Sequence, residues 1–385
     1  MSTATIHRQE EKAKAATLLL AFELGVKKWR VGFATDFTRP ARRCEIPGGD
    51  VKALQRELRE AKRYFGLPPT SSVISCYEAG RDGFWLHRYL ASQGVQNLVV
   101  DSSSIEVNRR RRRAKTDRLD VDKLLKLLIR HVGGEPAVWS IVHVPEAEVE
   151  DARSLHRELR TLAKEQTRSI NRIKGLLMNH GVYVEKLGHN FLSWLGGVRL
   201  WDGSPLPAGV RGRIEREYER WQVAHQQRLV LEGERRVVLQ HAKEDNVEKI
   251  RRLQQLRGIG STSAWLYVRE FFGWREFRNR REVGALAGLV PTPFQSGETQ
   301  REQGIGKAGN RYVRGLAIEI AWGWLRHQPE SALSRWYQRR FGGGGPRQRK
   351  IGIVALARKL LIALWRYVER GVVPEGARLK ADAAC

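Results

Sequence analysis

The sequence predicts an α/β unit with a partly parallel sheet in its first part, long helices in the middle and a mostly helical last part. Three observations predict this. Short apolar runs of strand length alternate with helically spaced segments from residue 17 to about 131, as a layered α/β unit requires. From residue 146 the apolar positions change to three- and four-residue steps held over long stretches. The segments rich in glycine after residue 256 are polar and read as connections between helices.

In order, residues 17–35 read as strand, short turn, strand. The run 18–22 suits a buried strand, 29–34 a second, and 41–46 a third. Residues 51–65 carry Val51, Leu54, Leu58 and Ala61 at the spacing of one helix face. Residues 71–77 form a strand ending on Glu78, 84–91 a helix, and 95–100 a strand ending on Asp101. Five consecutive arginines, Arg109, Arg110, Arg111, Arg112 and Arg113, precede a helix over 116–131. No Gly-x-Gly-x-x-Gly follows any strand, so dinucleotide binding has no support.

In the middle, Leu155, Leu159, Leu162, Ile173 and Leu176 fall on a seven-residue repeat, interrupted by Gln166 and Ser169. A second long helical stretch covers 211–256, and 181–209 is unassigned. The two helices form either an arm that brings copies of the chain together or a bundle that connects domains. Gly258-Ile259-Gly260 between helical stretches is similar to the hairpin of a helix-hairpin-helix, whose amides can touch phosphate. Residues 282–290 read as helix, 291–311 as a polar loop, and 351–370 as a packed helix interrupted by Arg358 and Lys359.

Composition narrows the function. The chain has 69 Lys and Arg against 42 Asp and Glu, a net charge of +27. That surplus attracts a polyanion, with nucleic acid or an acidic membrane as the first candidates. A hydrophobic content of 41% excludes wholesale disorder. No apolar run reaches the ~18 residues of a membrane span, and residues 1–16 are mixed in charge, unlike a signal peptide. Cys44, Cys76 and Cys385 are too few and too widely spaced for a disulfide framework or a cysteine zinc site, which fits a reducing cytosol. The 12 Trp can fill cores or stack on bases.

Four acids stand at chemically useful points. Glu23 ends the first strand, Glu78 ends a later one, and Asp117 and Asp120 lie three apart on one helix, which puts them on one face. Carboxylates gathered in this way can hold Mg²⁺, a hard cation that takes oxygen ligands and can polarise a phosphodiester. Taken singly, each reads more readily as a turn, helix-cap or solvated helix-face residue. Ser296, in the polar segment FQSGETQ, can attack phosphorus if its hydroxyl is activated, with Arg301 or Lys307 offsetting charge. A Ser-Gly dipeptide is more commonly a turn.

At this point the residues resemble a known family. RRAKTDRLDVDKL and CYEAGRDGFWLHRYL in the first part, and LRGIGSTSAWLYVREF, ALAGLVPTPFQSG, GIGKAGNRYVRGLA and VALARKLLIALWRYV in the last, look like the IS-one-ten family of insertion-sequence transposases over nearly the whole chain. The resemblance implies a RuvC-like, RNase H-type domain over 1–145. It implies a long-helix, coiled-coil linker or oligomerisation region over 146–256 and a transposase domain over 257–385. By position it assigns Glu23, Glu78, Asp117 and Asp120 to Mg²⁺ and catalysis, and Ser296 to a phosphoserine link with DNA. It further implies a structured guide (bridge) RNA that pairs with donor and target DNA, a homodimer or homotetramer, and a bacterial cytosolic, nucleoid-associated protein. Candidates for nucleic-acid contact are the five arginines, Lys115, Arg172, Lys174, Arg301, Lys307, Arg311 and Arg314. The family pattern has Asp at the first acid, where this chain has Glu23. The extra methylene can displace a bound ion by about 1 Å, enough to cost ~10²-fold in rate. Two other readings fit the same residues: a metal-only nuclease of RuvC type, and a non-catalytic nucleic-acid-binding remnant.

Overall fold

The structure is a computed structural model describing residues 17–80, 83–105, 117–135, 138–296, 299–306 and 309–380, without the side chains of residues 103, 117–119, 292–296 and 299–303. The chain divides into two compact units, one ending at Val144 and the other beginning at Pro145.

The first unit is a mixed five-stranded sheet with helices on both faces. Its elements are β1 (Leu18–Leu24), β2 (Lys28–Ala34), β3 (Arg42–Pro47), α1 (Val51–Phe65), β4 (Val73–Glu78), α2 (Trp85–Ser92), β5 (Gln96–Val100) and α3 (Asp117–Val132). The strand order is β3-β2-β1-β4-β5. The first three strands form an antiparallel meander, and β4 and β5 join β1 in parallel. Parallel neighbours need a crossover, which α1 and α2 supply. α1 starts where Asp50 accepts the Ala53 amide at 2.8 Å, and stops at Gly66, whose φ of 68° only glycine adopts without strain.

Alternation along β1 sorts the core into two layers. Leu18, Leu20 and Phe22 face a cluster with Leu54, Phe65, Leu86 and Leu90 from α1 and α2. Leu19 and Ala21 face Leu124, Leu125 and Leu128 of α3. α3 comes so close to the sheet that a Cβ on Gly32 would stand 2.7 Å from Cγ1 of Val121.

The second unit is helical apart from one hairpin. It contains α4 (Ala147–Asp151), α5 (Ser154–Met178), α6 (Phe191–Gly197), α7 (Ala208–His241), α8 (Asp245–Gln254), α9 (Ser261–Tyr267), a π-turn (Val268–Phe272), α10 (Arg280–Leu286), β6 (Pro291–Ser296), β7 (Thr299–Ile305), α11 (Arg311–His327), α12 (Ala332–Tyr337) and α13 (Pro346–Arg370). α5 and α7 lie antiparallel: Ile173 and Leu177 share a core with Ile214 and Tyr218, and further along Arg228 reaches Gln166 at 2.8 Å. Trp324, Phe271, Leu356, Leu361 and Leu364 anchor the larger core of α8 to α13.

Three expectations are corrected. The polar segment after residue 290 is not a loop: 291–296 and 299–305 pair as an antiparallel hairpin. The stretch 211–256 is two helices, broken after His241, where Arg251 donates to the orphan carbonyls of Leu239 (2.9 Å) and Ala242 (3.0 Å). Gln166 and Ser169 do not interrupt the seam of α5. They are buried in it, and the seam closes on Leu177, with Leu176 only partly buried.

Gly32→Ala should destabilise the first unit by about 1–3 kcal/mol, because the added methyl forces α3 away from the sheet. A lowered urea midpoint of that unit would show it, and an unchanged midpoint would mean that α3 yields freely.

Candidate active site

The parallel register places two of the acids side by side. β1 and β4 pair as far as Phe22 with Tyr77, so Glu23 and Glu78 are the next residue on each strand, at the same end of the sheet. By strand parity Glu23 follows Leu19 and Ala21, and Glu78 follows Ile74 and Cys76, onto the face that α3 covers. Adjacent strands lie about 4.8 Å apart, within the reach of two carboxylates sharing one ion. Asp120 is half-buried in α3 one turn before Leu124, and Asp117 opens that helix. Among the described residues no three His, Cys, Asp or Glu gather closely enough to hold a metal, and the Asp117 side chain is not among them. Glu23, Glu78 and Asp120 offer carboxylate oxygens, the donors that Mg²⁺ takes in preference to the nitrogen and sulfur of zinc sites, but the three are not drawn together in this structure.

The surroundings of these acids add detail that spacing alone misses. Glu23 stands directly across the antiparallel ladder from Arg30. Arg30 donates to Glu45 at 2.9 Å, and Arg30 and Lys28 together hold the Glu45 carboxyl below its ordinary range. Glu78 pairs with Val100, so Asp101, the residue after Val100, is a third strand-end acid at this edge. Asp122, two residues beyond Asp120 on α3, pairs with Arg43 at 2.6 Å. Asp36 follows β2 at the opposite end of the sheet, where it accepts from the Thr38 amide and hydroxyl, each at 2.6 Å.

Ser296 ends β6 and pairs with Thr299, at the tip of a hairpin. Pro291 and Pro293 cannot donate to the ladder, and the register shifts between them. The base of the hairpin is held firmly. The Gly306 amide donates to Val290 O and the Asn310 amide to Leu286 O, both at 3.0 Å. Gly309 has φ of 100°, and a Cβ there would stand 2.1 Å from Leu286 O, so only glycine fits.

A buried carboxylate ties this base to the rest of the unit. Glu270 in the π-turn is 0% exposed. It receives His156 Nε2 at 2.8 Å, Arg157 Nε at 2.7 Å, Arg157 Nη2 at 3.0 Å and Asn310 Nδ2 at 3.2 Å. Asn310 also caps α11, accepting from the amides of Tyr312 and Val313. Burial opposes the charge on Glu270, but the bonds from His156 and Arg157 outweigh it and hold the carboxyl at about 2. Cations surround this centre on aromatic faces: Arg157, Arg160 and Arg311 over Tyr312, and Arg153 and Arg275 over Trp274. Burial and the neighbouring Arg153 draw the Arg275 guanidinium down to about 10.

Several expected nucleic-acid contacts have partners within the protein. Arg172 pairs with Glu217 at 3.2 Å, and Lys174 donates to Glu185 O at 2.8 Å. Arg311 stacks on Tyr312, and Arg314 is likewise partnered. Arg109 to Arg113, Lys115 and Lys307, together with the Arg301 side chain, lie outside the described residues. At Gly258-Ile259-Gly260 the Arg257 amide donates to Arg378 O and the Ile259 amide to Leu256 O, so neither is available to phosphate.

With this geometry in view, comparison with known proteins defines the class. Residues 250–336, which include Glu270, the Ser296 hairpin and Asn310, match the model described as the transposase IS116/IS110/IS902 family. The chain is 39% identical over 94% of its length, and 94% of the other, to y4rJ of Sinorhizobium fredii, which carries a transposase name. It is 30% identical to y4qE of the same organism, also named as a transposase, over 75% of this chain and 68% of that one. It is 26% identical to the transposase for insertion sequence element IS1111A of Coxiella burnetii, over 66% and 67%. The chain belongs to the IS116/IS110/IS902 family of insertion-sequence transposases, the family that its motifs resemble. Transposases act on DNA, which makes DNA the partner class. Among the described residues no helix is long and apolar enough to cross a membrane.

The Glu270 centre carries a sign-definite pH dependence. Its carboxyl is lower in the folded chain (about 2) than its ordinary value of 4.5. The stabilisation is therefore complete above about pH 5 and is lost as pH falls towards 2. Glu270→Gln should cost about 3–5 kcal/mol at pH 7 by leaving buried partners unmatched, and should flatten the acid limb of the stability curve. Urea denaturation followed by Trp fluorescence between pH 2 and 7 measures both. An acid limb equally steep in the variant would remove Glu270 as its source.

Proposed function

We propose that this transposase cuts and rejoins DNA with Ser296 as nucleophile and Mg²⁺ held by Glu23, Glu78, Asp117 and Asp120 on a RuvC-like first unit, guided by a structured RNA. The observation that carries the reading is the presentation of Ser296 at the tip of a hairpin whose base is fixed by Gly309, Asn310 and Glu270. A nucleophile must be held to within about an ångström of the phosphorus to be effective. In the step proposed, the Ser296 oxygen forms a bond to phosphorus while one P–O bond to deoxyribose breaks. The serine proton is lost and the departing oxygen gains one. Rejoining is the reverse step with a new strand hydroxyl. Bound Mg²⁺ supplies Lewis-acid stabilisation of the charged oxygens. Arg30, directly across the ladder from Glu23, places a positive charge beside that strand end. The mixed sheet, with an antiparallel meander followed by two parallel strands, supports the RuvC-like reading of the first unit.

The functional unit is a homodimer or homotetramer joined through α7. Val223, Val230 and Val237 recur every seven residues along that helix and are 60%, 53% and 56% exposed. Valines repeated at heptad spacing on an open helix face suit a second copy of the same helix.

Incubated with guide RNA, DNA and Mg²⁺, the wild type should form a protein–DNA adduct that survives denaturation. Ser296→Ala and Asp117→Ala should both abolish it. Normal cleavage by Ser296→Ala together with loss in Asp117→Ala would establish the metal-only nuclease instead. Glu23→Asp should raise the adduct rate, up to ~10²-fold if the longer side chain misplaces the ion.

Val230→Glu should lower the mass measured by light scattering to that of a smaller assembly without altering the circular dichroism spectrum. An unchanged mass would place the assembly interface elsewhere.

A further inference from the structure

The second unit contains a groove that none of the preceding assignments uses. It has a volume of about 1540 Å³ and lies between α13, α12, α10 and the base of the hairpin, where Pro291, Gly304 and Ile305 form part of its wall. One face of α13 runs along it. Arg347, Lys350, Arg358, Lys359 and Arg366 alternate there with Ile351, Val354, Ala355 and Ile362, at the three- and four-residue steps that keep a stripe on one side of a helix. From residue 347 to 366 the stripe is roughly 29 Å long at 1.5 Å per residue.

The charge of the groove is one-sided. Arg280 and Arg281 of α10 add two cations, and Glu375 is the one acid in the lining. Among the described residues none of these seven cations has an ion-pair partner, although pairs are common elsewhere in the unit. Lys359 instead sits over the Trp336 ring at 4.7 Å. The floor is apolar and open: Ile351 is 54% and Val372 55% exposed. Uncompensated cations above an apolar floor do not suit a protein helix, which would bring its own charges of both signs. They suit a strand whose phosphates follow the basic rim while its bases lie against the floor.

We infer that this groove binds a single nucleic-acid strand along α13 and leads it to the base of the Ser296 hairpin. Pro291 in the wall is five residues from Ser296, roughly 17 Å along an extended strand. The inference rests on the proposed handling of nucleic acid by this unit and names where the strand lies. The strand is DNA, because the groove runs to the hairpin that carries the serine proposed to attack a DNA phosphodiester.

The test uses the full-length chain and fluorescein-labelled 20-nucleotide single strands of DNA and of RNA. The triple variant Lys350→Ala, Lys359→Ala, Arg366→Ala should bind the DNA strand about tenfold or more weakly at 150 mM salt. Its log–log salt slope should be shallower by about 2, at ~0.7 per lost phosphate contact. The matching triple Lys/Arg exchange, which keeps the charges, should restore binding. Loss for DNA, with or without loss for RNA, supports the inference, whereas loss for RNA alone would overturn it and make the groove a track for RNA. Wild-type affinity and slope for both strands would overturn the inference, as would a reduced assembly mass with binding intact, which would make the groove an interface between copies. Adduct formation is read separately. An adduct from Ser296→Ala would end the nucleophile assignment and leave the groove standing, whereas unaltered strand binding by the triple variant would end the groove assignment and leave the nucleophile standing.

Discussion

The second unit is organised around one buried charge. A carboxylate cannot remain ionised among the side chains of Phe271, Phe272 and Val268 unless its oxygens are fully paired. Glu270 meets that demand with donors from α5 and from the residue that opens α11, which are separated by more than a hundred positions in the sequence. Apolar contacts alone would let these helices slide against one another at small cost. A directional set of hydrogen bonds to a desolvated anion does not, because any slip leaves charge unmatched. Asn310 extends the constraint, since the same side chain caps α11 and donates to Glu270. Asn310, which opens α11, is therefore joined to α5 through the Glu270 carboxylate.

In the first unit the corresponding constraint is strand register. Parallel pairing of β1 with β4 brings Glu23 and Glu78 to the same end, and parity turns both to the α3 side. A slip of one residue would turn Glu23 onto the face of α1 and α2, towards Leu54, Leu86 and Leu90, and would move Leu20 and Phe22 to the α3 side. Leu18 to Phe22 are buried on both faces, so the register rests on the fit of large and small side chains in the two layers and on keeping Glu23 out of the apolar core. Gly32 contributes by allowing α3, the helix that carries Asp120, to lie directly on the sheet.

The parts of this fold that were legible in the sequence are those specified by apolar patterning. The strands 18–24, 28–34, 73–78 and 96–100, and helix 51–65, follow from runs and periodicity. The Ser296 hairpin was not legible because its strands carry polar residues and two prolines. It is secured by backbone pairing and by a glycine and an asparagine at its base, none of which leaves a period. The break after His241 was hidden for a related reason, since it depends on Arg251 reaching back to free carbonyls. Gln166 was misread as an interruption because its partner, Arg228, is 62 residues away. Glu270 did leave a signal: it is an acid inside the apolar run AWLYVREFF, where a charge is costly unless something distant answers it.

The same reasoning reinterprets the net charge of +27. Several of the arginines are engaged within the protein itself. Arg269 lies on Trp265 and bonds Glu244, Arg153 and Arg275 enclose Trp274, and Arg157 and Arg160 cover Tyr312. In these places tryptophan and tyrosine serve the protein's own guanidinium groups, so an aromatic beside an arginine in this sequence is no guide to where a base would stack. What distinguishes a cation available to a polyanion is the absence of an internal counter-charge. By that criterion the face of α13 differs from the α5–α7 pair, where Arg172 and Arg220 share Glu217 and Arg228 holds Glu232. Attraction at long range depends on the total charge, but binding at short range depends on which cations can give up water without giving up a protein partner.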